Sequence, residues 1–125
     1  MQQPSDYELE LMRIIWANRG TALYAEIVAG LEAKGNNWTK NTIIMLLSRL
    51  NEKGMLVASK TGRRNTYKAI VVENEYQADQ TARFLDKVFE GDTKGLISTL
   101  IEKELLSQSD YCELQKYWQG GDQSK

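Results

Sequence analysis

The sequence predicts a mainly α chain with one small β-hairpin, and three observations carry that reading. Apolar residues recur at helical spacing in three segments before Gly54. The period then drops to two on either side of a polar turn that contains Gly62. From Glu73 onward the helical spacing returns.

The first helix starts at Ser5 or Asp6, either of which can cap it. Leu9, Leu11, Met12, Ile15 and Trp16 make its apolar stripe, and Asn18-Arg19-Gly20 ends it. Thr21 is the expected N-cap of the second helix. Tyr24, Ile27, Val28 and Leu31 lie there at i, i+3, i+4 and i+7, and Gly35 supplies a left-handed stop. The third helix opens at Thr39, turns Ile43, Leu46, Leu47 and Leu50 inward, and ends at Gly54. Stripes of this kind belong to a core rather than to a cofactor pocket. The opposite face of the third helix carries Asn41, Met45, Ser48 and Glu52, flanked by Thr42, Ile44 and Arg49. It is short of the charged residues that solubilise an exposed helix, and Ile44 and Met45 on it need an explanation.

Met55-Leu56-Val57-Ala58 and the alternating run Thr66 to Val71 read as two strands around Ser59-Lys60-Thr61-Gly62-Arg63-Arg64-Asn65. The hairpin tip is basic, with Lys60, Arg63 and Arg64, and Lys68 just behind. Three further stripes follow. Tyr76, Thr81, Phe84, Leu85, Val88 and Phe89 form one that ends at Gly91; Leu96, Ile97, Leu100, Ile101 and Leu105 form the next. Ser107 and Asp110 have the form of a capping box and open the last, with Tyr111, Leu114 and Trp118. The expected division is 1–72, 73–119, and a disordered tail at 120–125.

Composition excludes much chemistry. The chain of 125 residues is 42% hydrophobic and 26% charged, which suits a folded domain and not a disordered one. It has one cysteine, Cys112, and no histidine. No intrachain disulfide, Ser-His-Asp or Cys-His arrangement, or usual zinc site can form. No catalytic residue, cofactor or metal is expected, and no enzyme. No apolar run is long enough to span a membrane. The segment Met1 to Asp6 lacks a basic and then apolar leader, so a cytoplasmic protein is expected.

The net charge of −1 conceals two unlike halves. Residues 1–70 carry ten Lys and Arg against six Asp and Glu, a balance of +4; residues 71–125 carry six against eleven, a balance of −5. Such asymmetry fits a polyanion at one end, although chance variation gives the same numbers.

Helix, helix, helix, hairpin within some 70 residues is the order of a winged helix-turn-helix. A helix with short side chains on one face can enter the major groove, about 12 Å wide. Asn41 and Ser48 can bond base edges, and Ile44 and Met45 can touch thymine methyls. Thr39 and Lys40 at the helix start can meet a phosphate. Lys60, Arg63 and Arg64 can lie along the backbone, or an arginine can enter the minor groove. The alternatives are a solvated hairpin tip, an Ile44–Met45 pair packed on a neighbouring element, and a winged helix that binds protein and not DNA.

The C-terminal helices are short for building a core of their own. Phe84, Leu85, Val88, Phe89, Leu96, Ile97, Leu100, Ile101, Leu114 and Trp118 are therefore expected at a homodimer interface. Folding back over the first domain in a monomer is the other option.

Several segments together resemble the BlaI/MecI/CopY family of transcriptional repressors, the penicillinase repressor family. They are Tyr7-Glu8-Leu9-Glu10-Leu11-Met12-Arg13-Ile14-Ile15-Trp16, Asn37-Trp38-Thr39, Thr42-Ile43, Leu46-Leu47-Ser48-Arg49-Leu50 with Lys53-Gly54, and Ile101-Glu102-Lys103-Glu104 with Leu106-Ser107. Their order and spacing carry the resemblance, from about Ser5 to Trp118. It implies a homodimer that represses by binding a pseudo-palindromic operator in double-stranded DNA, with the third helix as reading helix. Thr39 and Thr42 match polar positions at its start, and Arg49 matches a common arginine. Lys40-Asn41 stands where relatives often have Pro-Lys, and Ile44 where they often have a polar residue. Antibiotic-responsive members are cut by a signalling protease between Asn and Phe; the matching positions here are Thr99 and Leu100. Copper-responsive members carry a cysteine-rich tail, and this chain has Cys112 alone, so copper sensing is not expected.

Overall fold

The structure is a computed structural model and describes residues 2–123. In chain order the elements are α1 (Asp6–Ala17), β1 (Thr21–Leu23), α2 (Tyr24–Ala33), α3 (Lys40–Glu52), β2 (Leu56–Thr61), β3 (Arg64–Ala69), α4 (Glu73–Phe89), α5 (Thr93–Glu102) and α6 (Gln108–Gln123). The chain divides into two compact units, Met1–Gln77 and Ala78–Lys125.

The first unit is a winged helix. Ser5 and Glu8 form a reciprocal cap at the start of α1: the Glu8 amide donates to Ser5 Oγ at 3.2 Å, and the Ser5 amide donates to Glu8 Oε1 at 3.1 Å. Three elements bury one core of Leu11, Met12, Ile15, Ile27, Leu31, Ile43, Leu46, Leu47 and Leu50. Met55 and Leu56 join it as the chain enters β2, together with Ile14, Ala22 and Tyr67. Each such side chain contributes about 1.5–3 kcal/mol when fully removed from water. The apolar faces expected for the three helices are the ones that pack inward. Leu9, Trp16, Tyr24 and Val28 cover the core at its edge.

The hairpin is longer than the alternation suggested. β2 and β3 pair antiparallel from Leu56↔Ala69 to Thr61↔Arg64, leaving a two-residue loop of Gly62 and Arg63. Gly62 has φ of 68°, the left-handed value that a type II′ hairpin turn needs at its first position. Polar residues of the expected turn therefore lie in strand, because an exposed wing needs cross-strand hydrogen bonds but no buried face.

Thr21 does not cap the second helix. Thr21–Leu23 is instead a short strand beside β3, with Ala22 opposite Tyr67, and the sheet order is β1-β3-β2. Three residues are too few to display a period of two, which is why sequence reading missed the strand. α2 begins at Tyr24, and Glu26 Oε1 accepts from the Leu23 amide at 2.7 Å.

The expected boundary at residue 72 falls inside the first unit. Trp16 Nε1 donates to the Val71 carbonyl at 2.8 Å, and the Trp16 and Tyr76 rings lie 5.5 Å apart. The opening turn of α4 thus belongs with the winged helix, and Tyr76 packs on its core.

In the second unit α5 is capped by Asp92 Oδ1, which accepts from the Gly95 amide at 3.0 Å. Ser107 Oγ accepts from the Asp110 amide at 3.0 Å and opens α6. No residue of α4 or α5 is buried. The tail expected at 120–125 falls partly on α6, which runs through Gln123; Ser124 and Lys125 lie outside the described residues. Among the described residues no helix is long and apolar enough to cross a membrane.

Candidate nucleic-acid interface

The helix α3 is set in the fold by both its ends and its inner face. At its start the Thr42 amide donates to Thr39 Oγ1 at 3.2 Å, and the two hydroxyls are 2.9 Å apart. The Thr39 hydroxyl thus caps the helix start, and the residue itself is exposed there. At the far end, Lys53 Nζ donates to Glu8 Oε1 at 2.5 Å and to the Gln3 carbonyl at 2.9 Å. These bonds tie the N-terminal segment and α1 to the end of α3. Ile43, Leu46, Leu47 and Leu50 then fix the rotation of α3 about its axis.

That rotation turns Lys40, Asn41, Ile44, Met45, Ser48 and Arg49 outward, while Thr42 is half-buried at the edge. Ile44 is 43% exposed and Met45 45% exposed, and neither belongs to the hydrophobic core or to the residues packed against it. The outward face therefore presents Asn41, Ile44, Met45 and Ser48 along its middle, with Lys40 at its start, Arg49 at its side and the exposed carboxylate of Glu52 at its far end.

Glu8 sets the electrostatics behind this face. Only 2% of it is exposed, and burial by itself raises its carboxyl pKa. The Lys53 hydrogen bond, the Ser5 amide, and the charges of Lys53 and Arg49 outweigh burial and hold it below the ordinary glutamate value. Arg49 itself remains exposed.

The wing supplies the remaining cations. Lys60 lies in β2, Arg63 in the loop and Arg64 in β3, all exposed. Ion pairs among the described residues join Arg13 and Lys34 to Glu10, Lys53 to Glu8, and Arg83 to Asp79, and none engages a cation of the wing. Arg63, Arg64 and Asn65 line an open cleft with Leu23, Tyr24 and Ala25 at the start of α2. Leu23 has no side-chain acceptor for the first-turn amides of α2. Sequence reading passed over Asn65 and this helix start. The signal in the sequence is a leucine where a capping residue would stand, two residues after Thr21, which has the capping chemistry and lies in β1.

In the second unit the expected interface residues stand on all three helices. Leu85, Phe89, Leu96 and Leu100 are half-buried, and Phe84, Val88, Ile97, Ile101 and Leu114 are largely exposed. Trp118 is 79% exposed. The Phe84 and Phe89 rings meet at 5.9 Å. Thr99 and Leu100 lie inside α5, where Thr99 Oγ1 donates to the Gly95 carbonyl at 2.9 Å. Cys112 is exposed, and the described residues hold no group of three or more metal-ligating side chains.

The family model described as penicillinase repressor matches residues 4–120. The chain belongs to the penicillinase repressor family. This is a family of transcriptional repressors and not of enzymes. Among its relatives, the methicillin resistance regulatory protein MecI of Staphylococcus aureus (strain N315) is 31% identical over 110 residues, covering 88% of each chain. The penicillinase repressor of Bacillus licheniformis is 31% identical over 112 residues, covering 90% of this chain and 86% of the relative. A solution structure of the monomeric form of Bacillus licheniformis BlaI in complex with the blaP half-operator is similar in fold. Its TM-score is 0.50 at 36% identity, over 60% of this chain and 89% of that one. That likeness accords with the winged helix built from α1 to β3.

Proposed function

We propose that this chain is a dimeric transcriptional repressor that binds a pseudo-palindromic operator in double-stranded DNA. The observation that carries the reading is the outward face of α3, which bears Lys40 and Arg49, beside a wing whose cations join no ion pair among the described residues. Asn41, Thr42, Ile44, Met45 and Ser48 face the bases, and Lys40 and Arg49 the backbone at either end. Lys60, Arg63 and Arg64 neutralise phosphates and supply most of the affinity, so that α3 supplies the selectivity. The relative whose structure holds a half-operator supports DNA as the partner.

Two copies are needed because one half-site binds weakly, and two joined readers multiply specificity through effective concentration. The exposed apolar residues of α4, α5 and α6 support a twofold interface through the second unit. A cytoplasmic location fits this role.

Titration of binding against salt tests the reading. Affinity for duplex DNA falls as salt rises, and Arg63→Ala and Arg64→Ala each reduce the slope of log affinity against log salt by about one. Absence of binding to the promoter region of its own gene at low salt would refute it. A winged helix that bound protein alone would show no such slope in the unaltered chain.

A further inference from the structure

The exposed face of α3 carries a finer inference, which rests on the DNA reading above. Ile44 and Met45 are adjacent, and both stand nearly half exposed opposite the buried Ile43, Leu46, Leu47 and Leu50. Asn41 lies one turn before them and Ser48 one turn after them on the same side. Between Lys40 and Arg49 this face holds no cation. Two apolar side chains thus occupy the middle of the reading surface, with one short polar group on each side.

Base edges differ in what they offer such a surface. Guanine presents two acceptors to the major groove and is read by arginine or lysine in bidentate fashion. Pressing Ile44 and Met45 against those acceptors would strip their water and return no hydrogen bond. Thymine alone presents an apolar group there, the C5 methyl, and adenine presents the donor and acceptor that suit an asparagine amide. The branched Ile44 offers a fixed apolar surface, whereas the unbranched Met45 adapts its shape to the neighbouring step. We infer that Ile44 and Met45 read thymine C5-methyl groups in the major groove, with Asn41 on an adjoining adenine. The half-site facing the middle of α3 is then selected through apolar contact and is rich in A·T pairs.

Replacement of thymine by deoxyuridine tests this directly, because it deletes the methyl and leaves base pairing and every groove hydrogen bond in place. Selection from a random duplex pool with the full chain first defines the bound sequence. Each fixed thymine is then replaced in turn, and affinity is read by fluorescence anisotropy. Uracil at one or two positions is expected to weaken binding about fourfold, the value of one buried methyl. Ile44→Ala or Met45→Ala is expected to bind the thymine and uracil duplexes equally at the position it served. Both side chains are exposed, so neither change opens a cavity in the core. A selected site that binds with a normal salt slope but tolerates uracil everywhere would overturn this inference and leave the DNA reading standing. The same holds if uracil sensitivity persists in both variants. No enriched sequence and no binding at low salt would overturn both.

Discussion

Glu8 shows how one buried charge is made tolerable. Its carboxylate accepts from the Ser5 amide and from Lys53, and Lys53 remains half-buried. Because the folded pKa lies below the ordinary value, the ionised form favours folding. That contribution is fully present above the unfolded glutamate value and disappears as pH falls through the lowered one. Glu8→Gln is expected to cost about 1–3 kcal/mol at neutral pH, since Lys53 loses its charged partner in a partly dry site. Urea denaturation at pH 7 and again near pH 3 checks this, and the difference between variant and parent should shrink in acid. The pairing itself was not legible, because Glu8 and Lys53 are 45 residues apart in sequence. Only the cap formed with Ser5, a local contact, could be read in advance.

Among the elements, α1 and α2 pack closely enough that a glycine becomes necessary. A Cβ placed on Gly30 would lie 2.8 Å from Ile14 Cγ2. That methyl sits on a β-branched carbon and cannot swing aside freely. In an isolated helix Gly30→Ala would gain about 1 kcal/mol. In this packing the overlap costs about 1–3 kcal/mol, so the expected outcome is a net loss of about 1 kcal/mol. A double-mutant cycle with Ile14→Ala provides the check: the double variant should be more stable than the sum of the single effects. The helices were readable because each has a stripe and end signals of its own. Strand β1 was not, since its three residues are held by β3 and not by any pattern they contain.

Across the whole molecule, the two units differ in how much of their apolar surface they bury. The winged helix encloses a core, whereas α4 and α5 have no buried residue and leave Phe84, Val88, Ile97 and Ile101 substantially exposed. On the proposed reading these exposed side chains are where two copies associate. Leu100→Asp is therefore expected to shift the protein from dimer to monomer in sedimentation at micromolar concentration, and to weaken operator binding with it. A dimer that survived the change would place the interface elsewhere. The charge division accords with the proposed reading, since the acidic second half would be repelled by DNA and the basic first half attracted to it.

The sequence alone determined the helices, the hairpin, the inward faces and the set of residues on the outward face of α3. These follow from period, caps and glycine stops, which act over one or two turns of chain. It also determined what the chain lacks, since the absence of histidine excludes whole classes of chemistry wherever the residues end up. Tertiary structure decided the rest. It converted Thr21 from a cap into a strand residue, assigned Tyr76 to the first unit, joined Glu8 to Lys53 and set the wing against the start of α2. Each of these depends on groups far apart in sequence meeting in space, and no local pattern encodes such a meeting.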